Sequence, residues 1–431
     1  MFRCRVSHQM IAAAGWALGC ASIMPLSATA QVDIESLTPV KNVAVADRPR
    51  PEYAAPGVSV GAFNISPTAG VEHAYDSNVL ARDTDAIGSG VTVFSGGGSA
   101  SSSFSDTSLS VSGNYTAHRF SSISDANYET WSVEAELAAM LPASNALVAR
   151  HRQSKEVIGR ENATAPSSAE PLTFELQETS LEWRHEAGRR VFGASIERLD
   201  LTFDTFAVAN PDQPGFLPGS DRDRTELTFT GETGWTSGQD LTLLGGVRYT
   251  QRSFDRPSSD GVDRDAQQIV PYIGAIYVLA DNLALEADIG AIFIETADPN
   301  QEDLTRIYAR SELDWFVSQI TTATLTVSQL ERGADLVDSS SLTAATIGLS
   351  VDHELRRNLI FSAGGEVTSE RFSGIDRTDE LYRARASLQW LINRGARASA
   401  YYAFTEREAD DSVINASFTS NMTGVQLRLS L

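Results

Sequence analysis

What most restricts the fold of this chain is a two-residue rhythm that begins near residue 58 and continues to the last residue. Leu283, Leu285, Ala287, Ile289, Ala291 and Phe293 alternate with Ala284, Glu286, Asp288 and Gly290. Tyr382, Ala384, Ala386, Leu388 and Trp390 alternate with Arg383, Arg385, Ser387 and Gln389. Successive side chains of a strand point to opposite faces, so each run has one apolar and one polar side. No stretch shows the helical period of about 3.6 residues. The chain reads as almost entirely β.

The runs number about eighteen and are roughly 11 to 15 residues long, with the first at 58–73 and two later ones at 322–333 and 342–353. Strands of soluble sandwiches are typically about 5 or 6 residues, whereas a tilted strand crossing a bilayer needs about 9 to 11. Short turns such as Gly188-Arg189, Asp281-Asn282 and Asn393 to Gly395 alternate with longer polar segments such as Val157–Leu172, Asp204–Arg222 and Asp335–Ser341. That alternation belongs to an up-and-down barrel with turns in the periplasm and loops outside. A sandwich has no reason for it. Trp183, Trp235, Trp315 and Trp390 each fall a few residues before a short turn, as an interfacial belt of indoles requires. The expected fold class is all-β: a transmembrane up-and-down antiparallel barrel of about 18 strands.

Residues 1–30 have the build of a signal peptide. Arg3 and Arg5 precede the uncharged apolar run Met10–Met24, and Ala28-Thr29-Ala30 offers a cleavage site. Cys20 does not read as a lipoprotein cysteine, because Ala17 stands where such a signal needs Leu. Cys4 and Cys20 are the only cysteines, so the exported chain would hold no disulfide. Residues 31–57 read as a proline-rich periplasmic linker and 58–431 as the barrel. The longest later apolar run, Val270–Ala280, falls short of the ~18 residues of a spanning helix. These features place the chain in the outer membrane of a Gram-negative bacterium, with lipid, lipopolysaccharide and the barrel-assembly machinery as expected partners. A net charge of −22 excludes nucleic acid, which needs a basic patch.

A ring of eighteen tilted strands has a diameter of roughly 36 Å and an interior on the order of 25 Å, wide enough for water unless something folds inward. Val157–Leu172, Asp204–Arg222 and the N-terminal stretch are the candidates for a constriction. Alternation turns charges of both signs inward. The expected pore-lining acids are Glu226, Glu286, Asp288, Glu312, Asp314 and Glu366, with Glu134, Glu136, Glu182 and Glu232 beside them. The expected arginines are Arg248, Arg306, Arg310, Arg383, Arg385, Arg397 and Arg428, with Arg184 and Arg252. Arg383, Arg385, Arg397 and Arg428 lie on the last three strands, where a basic wall would face an acidic one and suit a hydrated acidic polymer. The plainer reading is that lumen residues need only be polar and pair across strands.

No nucleophile elbow, phosphate-binding loop or zinc-protease signature occurs. No enzyme activity, cofactor or resident metal is therefore expected. Asp255, Asp260, Asp263 and Asp265 do not have EF-hand spacing.

One segment carries a resemblance. Arg48 to Asp83 reads RPRPEYAAPGVSVGAFNISPTAGVEHAYDSNVLARD, with Arg48-Pro49-Arg50-Pro51-Glu52-Tyr53, Gly57, Gly61-Ala62-Phe63, Pro67 and Tyr75-Asp76-Ser77-Asn78-Val79 as its marks. It resembles the opening of the putative β-barrel porin 2 family, outer-membrane proteins often encoded with exopolysaccharide or capsule machinery. The resemblance implies a passive pore exporting a polysaccharide alongside periplasmic polysaccharide-export proteins, and no catalytic residues. The residues leave open a general diffusion porin, or a closed structural or adhesive barrel.

Overall fold

Each alternating run forms a strand, and each strand pairs antiparallel with the next. The computed structural model describes residues 43–431 except 164, 166–169, 205–218, 239, 258–260, 300, 337–338 and 410–416. A short arm, β1 (Val58–Val60), leads into β2 (Phe63–Asp76), β3 (Ser89–Ser103), β4 (Thr107–Phe120), β5 (Tyr128–Leu141), β6 (Asn145–Val157), β7 (Thr173–Ala187) and β8 (Arg190–Phe203). The ring continues through β9 (Arg224–Ser237), β10 (Leu241–Phe254), β11 (Ala266–Ala280), β12 (Leu283–Thr296), β13 (Leu304–Ser318) and β14 (Thr321–Leu336). It ends with β15 (Ser339–Arg356), β16 (Leu359–Phe372), β17 (Thr378–Asn393), β18 (Ala396–Ala409) and β19 (Phe418–Ser430). β19 pairs with β2, which closes an antiparallel barrel of 18 strands. One circuit of opposed residues advances the register by about 22 residues. For eighteen strands that stagger sets a tilt of roughly 40°.

The Tyr75–Val79 cluster pins the seam where first and last strands meet. Asp76 accepts a hydrogen bond from Ser420 at 2.6 Å and from the Asn78 N–H at 2.8 Å. Asn78 is buried and donates its side-chain amide to the carbonyls of Arg82 and Thr419. Pro67 lies where the ladder to β19 runs out: its carbonyl accepts the Leu431 N–H, and a proline is tolerated at such a ladder end because no interior ladder bond needs its N–H.

Three segments depart from the sequence reading. The expected first strand at 58–73 is broken at Gly61, whose φ of +61° reverses the chain, so that Val58–Val60 pairs with Phe63–Ile65 and the barrel starts at Phe63. The described part of the linker does not simply extend away. Val45 is fully buried against Ile360 and Leu391, its N–H donates to Thr322 Oγ1, and Arg50 bonds Glu354 at 2.9 Å. Residues 43–57 thus fold into the mouth at the short-turn end. Finally, β14 and β15 run on almost to their tip instead of opening at 335–341, and β14 leaves β13 beyond Gln329. The signal-peptide reading lies outside the described residues, as do Asp260 and most of the loop Asp204–Arg222.

Outward faces carry Ile273, Ile289, Ile307, Leu349 and Val425, all well exposed, as a lipid-facing wall demands. Trp183, Trp235, Trp315 and Trp390 stand on the same face near the short turns. The Trp183 indole N–H donates to the side-chain oxygen of Asn145, the first residue of β6, at 3.1 Å. The apolar-out rule does not hold along whole strands. Toward the long loops, β7 and β8 turn Glu175, Gln177, Arg198 and Asp200 outward, while Phe174, Leu176, Leu199, Leu201 and Phe203 pack inward with Ile158 and Leu172. Beyond the lipid the outer wall meets water, and a folded-in loop supplies the apolar partner inside.

Candidate functional site

The register turns every charged residue singled out on the strands toward the lumen: Arg248, Arg306, Arg310, Arg383, Arg385, Arg397, Arg428, Glu226, Glu286, Asp288, Glu312, Asp314 and Glu366. Arg150, Arg152, Arg224, Arg332, Arg407, Glu72, Glu197, Glu370 and Asp379 share that face and were not singled out in the sequence. Counting every second residue from a known inward position would have found them.

Most of these charges are matched within one strand spacing. Arg150 bonds Glu136 at 2.7 Å, and Arg224 and Arg252 share Glu226 at 2.9 and 3.1 Å. Arg383 bonds Glu366 at 2.7 Å, and Asp288 opposes Arg310. Arg385 lies over the Tyr401 ring at 4.4 Å, and the Tyr401 hydroxyl donates to Glu72 at 2.5 Å. The arginines of the last strands therefore do not form an unbroken basic wall. Arg397 and Arg428, near the short-turn end, face one another.

Two segments cross the interior. The first is the β6–β7 loop, where Ile158 joins the apolar cluster on β7 and β8. The Glu161 carbonyl of that loop accepts Arg407 Nη2 at 2.5 Å. Arg407 is itself buried and bonds Asp379 at 2.7 Å and Glu370 at 3.0 Å. Burial holds the Glu161 carboxyl above the ordinary range, against the pull of Arg383 and Arg407. The second segment is the β14–β15 hairpin, whose Ala334, Leu336, Leu342 and Ala344 pack with Ala163 of the loop and with Phe372. A cavity of about 510 Å³ lies on the side of β2–β5 and β16–β19, and one of about 100 Å³ on the side of β7–β13. Ile158, Asn162, Leu330, Arg332 and Glu370 line both and so mark the divide. The described residues of Val157–Leu172, Ile158 to Ala163 above all, thus narrow the lumen. The larger cavity also holds His118 stacked on Tyr128 at 4.2 Å, with Arg160, Arg383 and Arg385 on its walls.

The mouth at the short-turn end is partly covered by residues 43–57. There the Asp47 carboxyl is pushed up by burial and by the charges of Asp352 and Asp314. At the rim Arg357 bonds Glu52 at 2.6 Å. Among the described residues no cluster of carboxylates, histidines or cysteines has the arrangement of a metal site.

No curated protein matches the sequence. Among solved structures the chain is similar to a point mutant of the ferric enterobactin receptor of Pseudomonas aeruginosa in complex with enterobactin, at 9% identity over 88% of this chain and 82% of that one, with a TM-score of 0.51. OpdK of Pseudomonas aeruginosa with vanillate matches at 12% identity over 85% of this chain and 99% of that one, with a TM-score of 0.46. OccAB3 of Acinetobacter baumannii matches at 12% identity over 85% and 99%, with a TM-score of 0.45. The first of these likenesses shows the barrel fold and no more. The sequence profile described as Putative beta-barrel porin 2 matches residues 50–431. With that match spanning every barrel strand, the chain is an outer-membrane β-barrel of porin type and belongs to the Putative beta-barrel porin 2 family.

Proposed function

We propose that the barrel is a passive channel through which a large hydrophilic solute leaves the cell, an acidic sugar polymer in particular. The observation that carries this reading is the construction of the lumen. The wall is wide and charged, and what narrows it is a loop, a hairpin tip and an N-terminal segment rather than the strands themselves. A polar wall takes the place of bulk hydration for a solute sliding along it. Arginines offer forked donors to carboxylates, and the stacked His118–Tyr128 pair offers a flat face to sugar rings. Periplasmic polysaccharide-export proteins would be the partners on the short-turn side.

The division of the lumen into cavities of about 510 and 100 Å³ favours a second reading, a porin for small solutes. Single-channel conductance in planar bilayers tests both, since a protein that never conducts is neither. Deleting the gene and assaying surface polysaccharide separates them. Loss of surface polymer supports export, and an unchanged coat leaves the small-solute porin.

A further inference from the structure

Around the inner wall, arginines stand against carboxylates, as Arg150 does against Glu136, Arg252 against Glu226 and Arg407 against Asp379. Arg397 on β18 and Arg428 on β19 break this pattern. They are opposed in the register on inward positions, and among the described residues neither side chain makes an ion pair or a hydrogen bond. The charged neighbour of Arg397 is Arg428. Like charges directly opposed on adjacent strands destabilise a sheet, and a counter-charge would offset the hydration lost by the half-buried Arg397, beside which Arg428 is exposed. Here no side chain supplies one.

The surroundings suit an incoming anion. Gly70 opposes Arg428 on β2, and the Ser95 hydroxyl occupies the space its side chain would fill. Ser399 and Gln426 are the next inward positions on the same two strands. Leu391, opposite Arg397, packs on Val45 of the N-terminal segment, so the pair sits beside the cover of the mouth. Arg394, in the β17–β18 turn, adds positive charge to the same rim. Further along the wall, Arg385 and Arg383 line the larger cavity.

The geometry points to an anion-binding site at the periplasmic mouth, in which Arg397 and Arg428 together receive a carboxylate of an acidic sugar chain. The site deepens the export reading and rests on it for the side from which the ligand arrives. Two planar forks opposed across one strand spacing are matched to a planar or tetrahedral oxyanion.

The test is calorimetric titration of the full-length protein in detergent micelles with trigalacturonate, with sulfate and with neutral maltotriose. Trigalacturonate is expected to bind more tightly than sulfate, and maltotriose not to depend on the arginines. Arg397→Gln with Arg428→Gln should weaken trigalacturonate at least about tenfold, because charge-assisted hydrogen bonds are lost. Arg397→Lys with Arg428→Lys, which keeps both charges but not the planar forks, should bind trigalacturonate more weakly than the wild type and more tightly than the glutamine variant. Heat-modifiable migration on gels checks that each variant is folded. Trigalacturonate binding that is absent in the wild type, or unchanged in the glutamine variant, overturns the site. Sulfate binding as tightly as trigalacturonate overturns the assignment to a sugar chain. Conductance of the same preparations keeps the two proposals apart. Binding without conductance sinks the channel and leaves the site, whereas conductance without arginine-dependent binding sinks the site alone.

Discussion

Ile273 stands at the middle of β11, 67% exposed on the outer wall. Ile273→Arg would place a charge at the bilayer midplane, and we expect a loss of about 2–4 kcal/mol in urea unfolding from phospholipid vesicles. Arg407 is the opposite case, a buried inward guanidinium between Asp379 and Glu370 that also holds the Glu161 carbonyl. Arg407→Ala leaves Glu370 without its bonded arginine, while Arg377 still bonds Asp379. The same titration should show a loss toward the lower end of about 3–5 kcal/mol, the cost of breaking a buried pair. At this scale alternation makes facing legible, since Glu226 and Arg383 turn inward as their strands' parity requires. Pairing was not legible. That Glu226 serves two arginines while Arg397 meets another arginine depends on register between strands, which no single strand encodes.

Among the elements, the loops decide whether the barrel is open. Replacing residues 159–170 with a short glycine-serine turn removes the loop that meets Arg407 and the hairpin tip, and single-channel conductance should rise. The N-terminal segment should respond to pH. Its Asp47 carboxyl is raised by burial, Asp352 and Asp314, with Arg48 and Arg50 drawn instead to Glu354. Below the ordinary carboxylate range the group is protonated whether the segment is docked or not. As pH climbs through that range the docked form is penalised, and the penalty is complete above the raised pKa. Asp47→Asn should therefore slow protease cleavage within residues 43–57 at about pH 8 and leave it nearly unchanged at about pH 4, a comparison in which the pairs Glu52–Arg357 and Arg50–Glu354 are common to both proteins. Strand positions were legible because turn chemistry punctuates them, Asn393 to Gly395 between β17 and β18 being one instance. The inward course of the β6–β7 loop had no such signal. It depends on apolar partners as distant as Ala334 and Phe372.

As a whole, the molecule exposes an apolar girdle that only lipid or detergent covers. Purified protein should aggregate when detergent falls below its critical micelle concentration, and light scattering of a monodisperse species in plain buffer would contradict the barrel's placement. Sequence alone determined that there are many long two-faced strands joined by alternating short and long links, because side-chain period and turn preference are local properties of the backbone. Tertiary structure decided which charges neutralise one another, where the faces exchange character above the lipid, and that a loop, a hairpin and an N-terminal segment divide and cap the lumen. Those outcomes require closing the ring. Closure sets the stagger and brings Glu161 to Arg407 and Val45 to Leu391 across hundreds of residues.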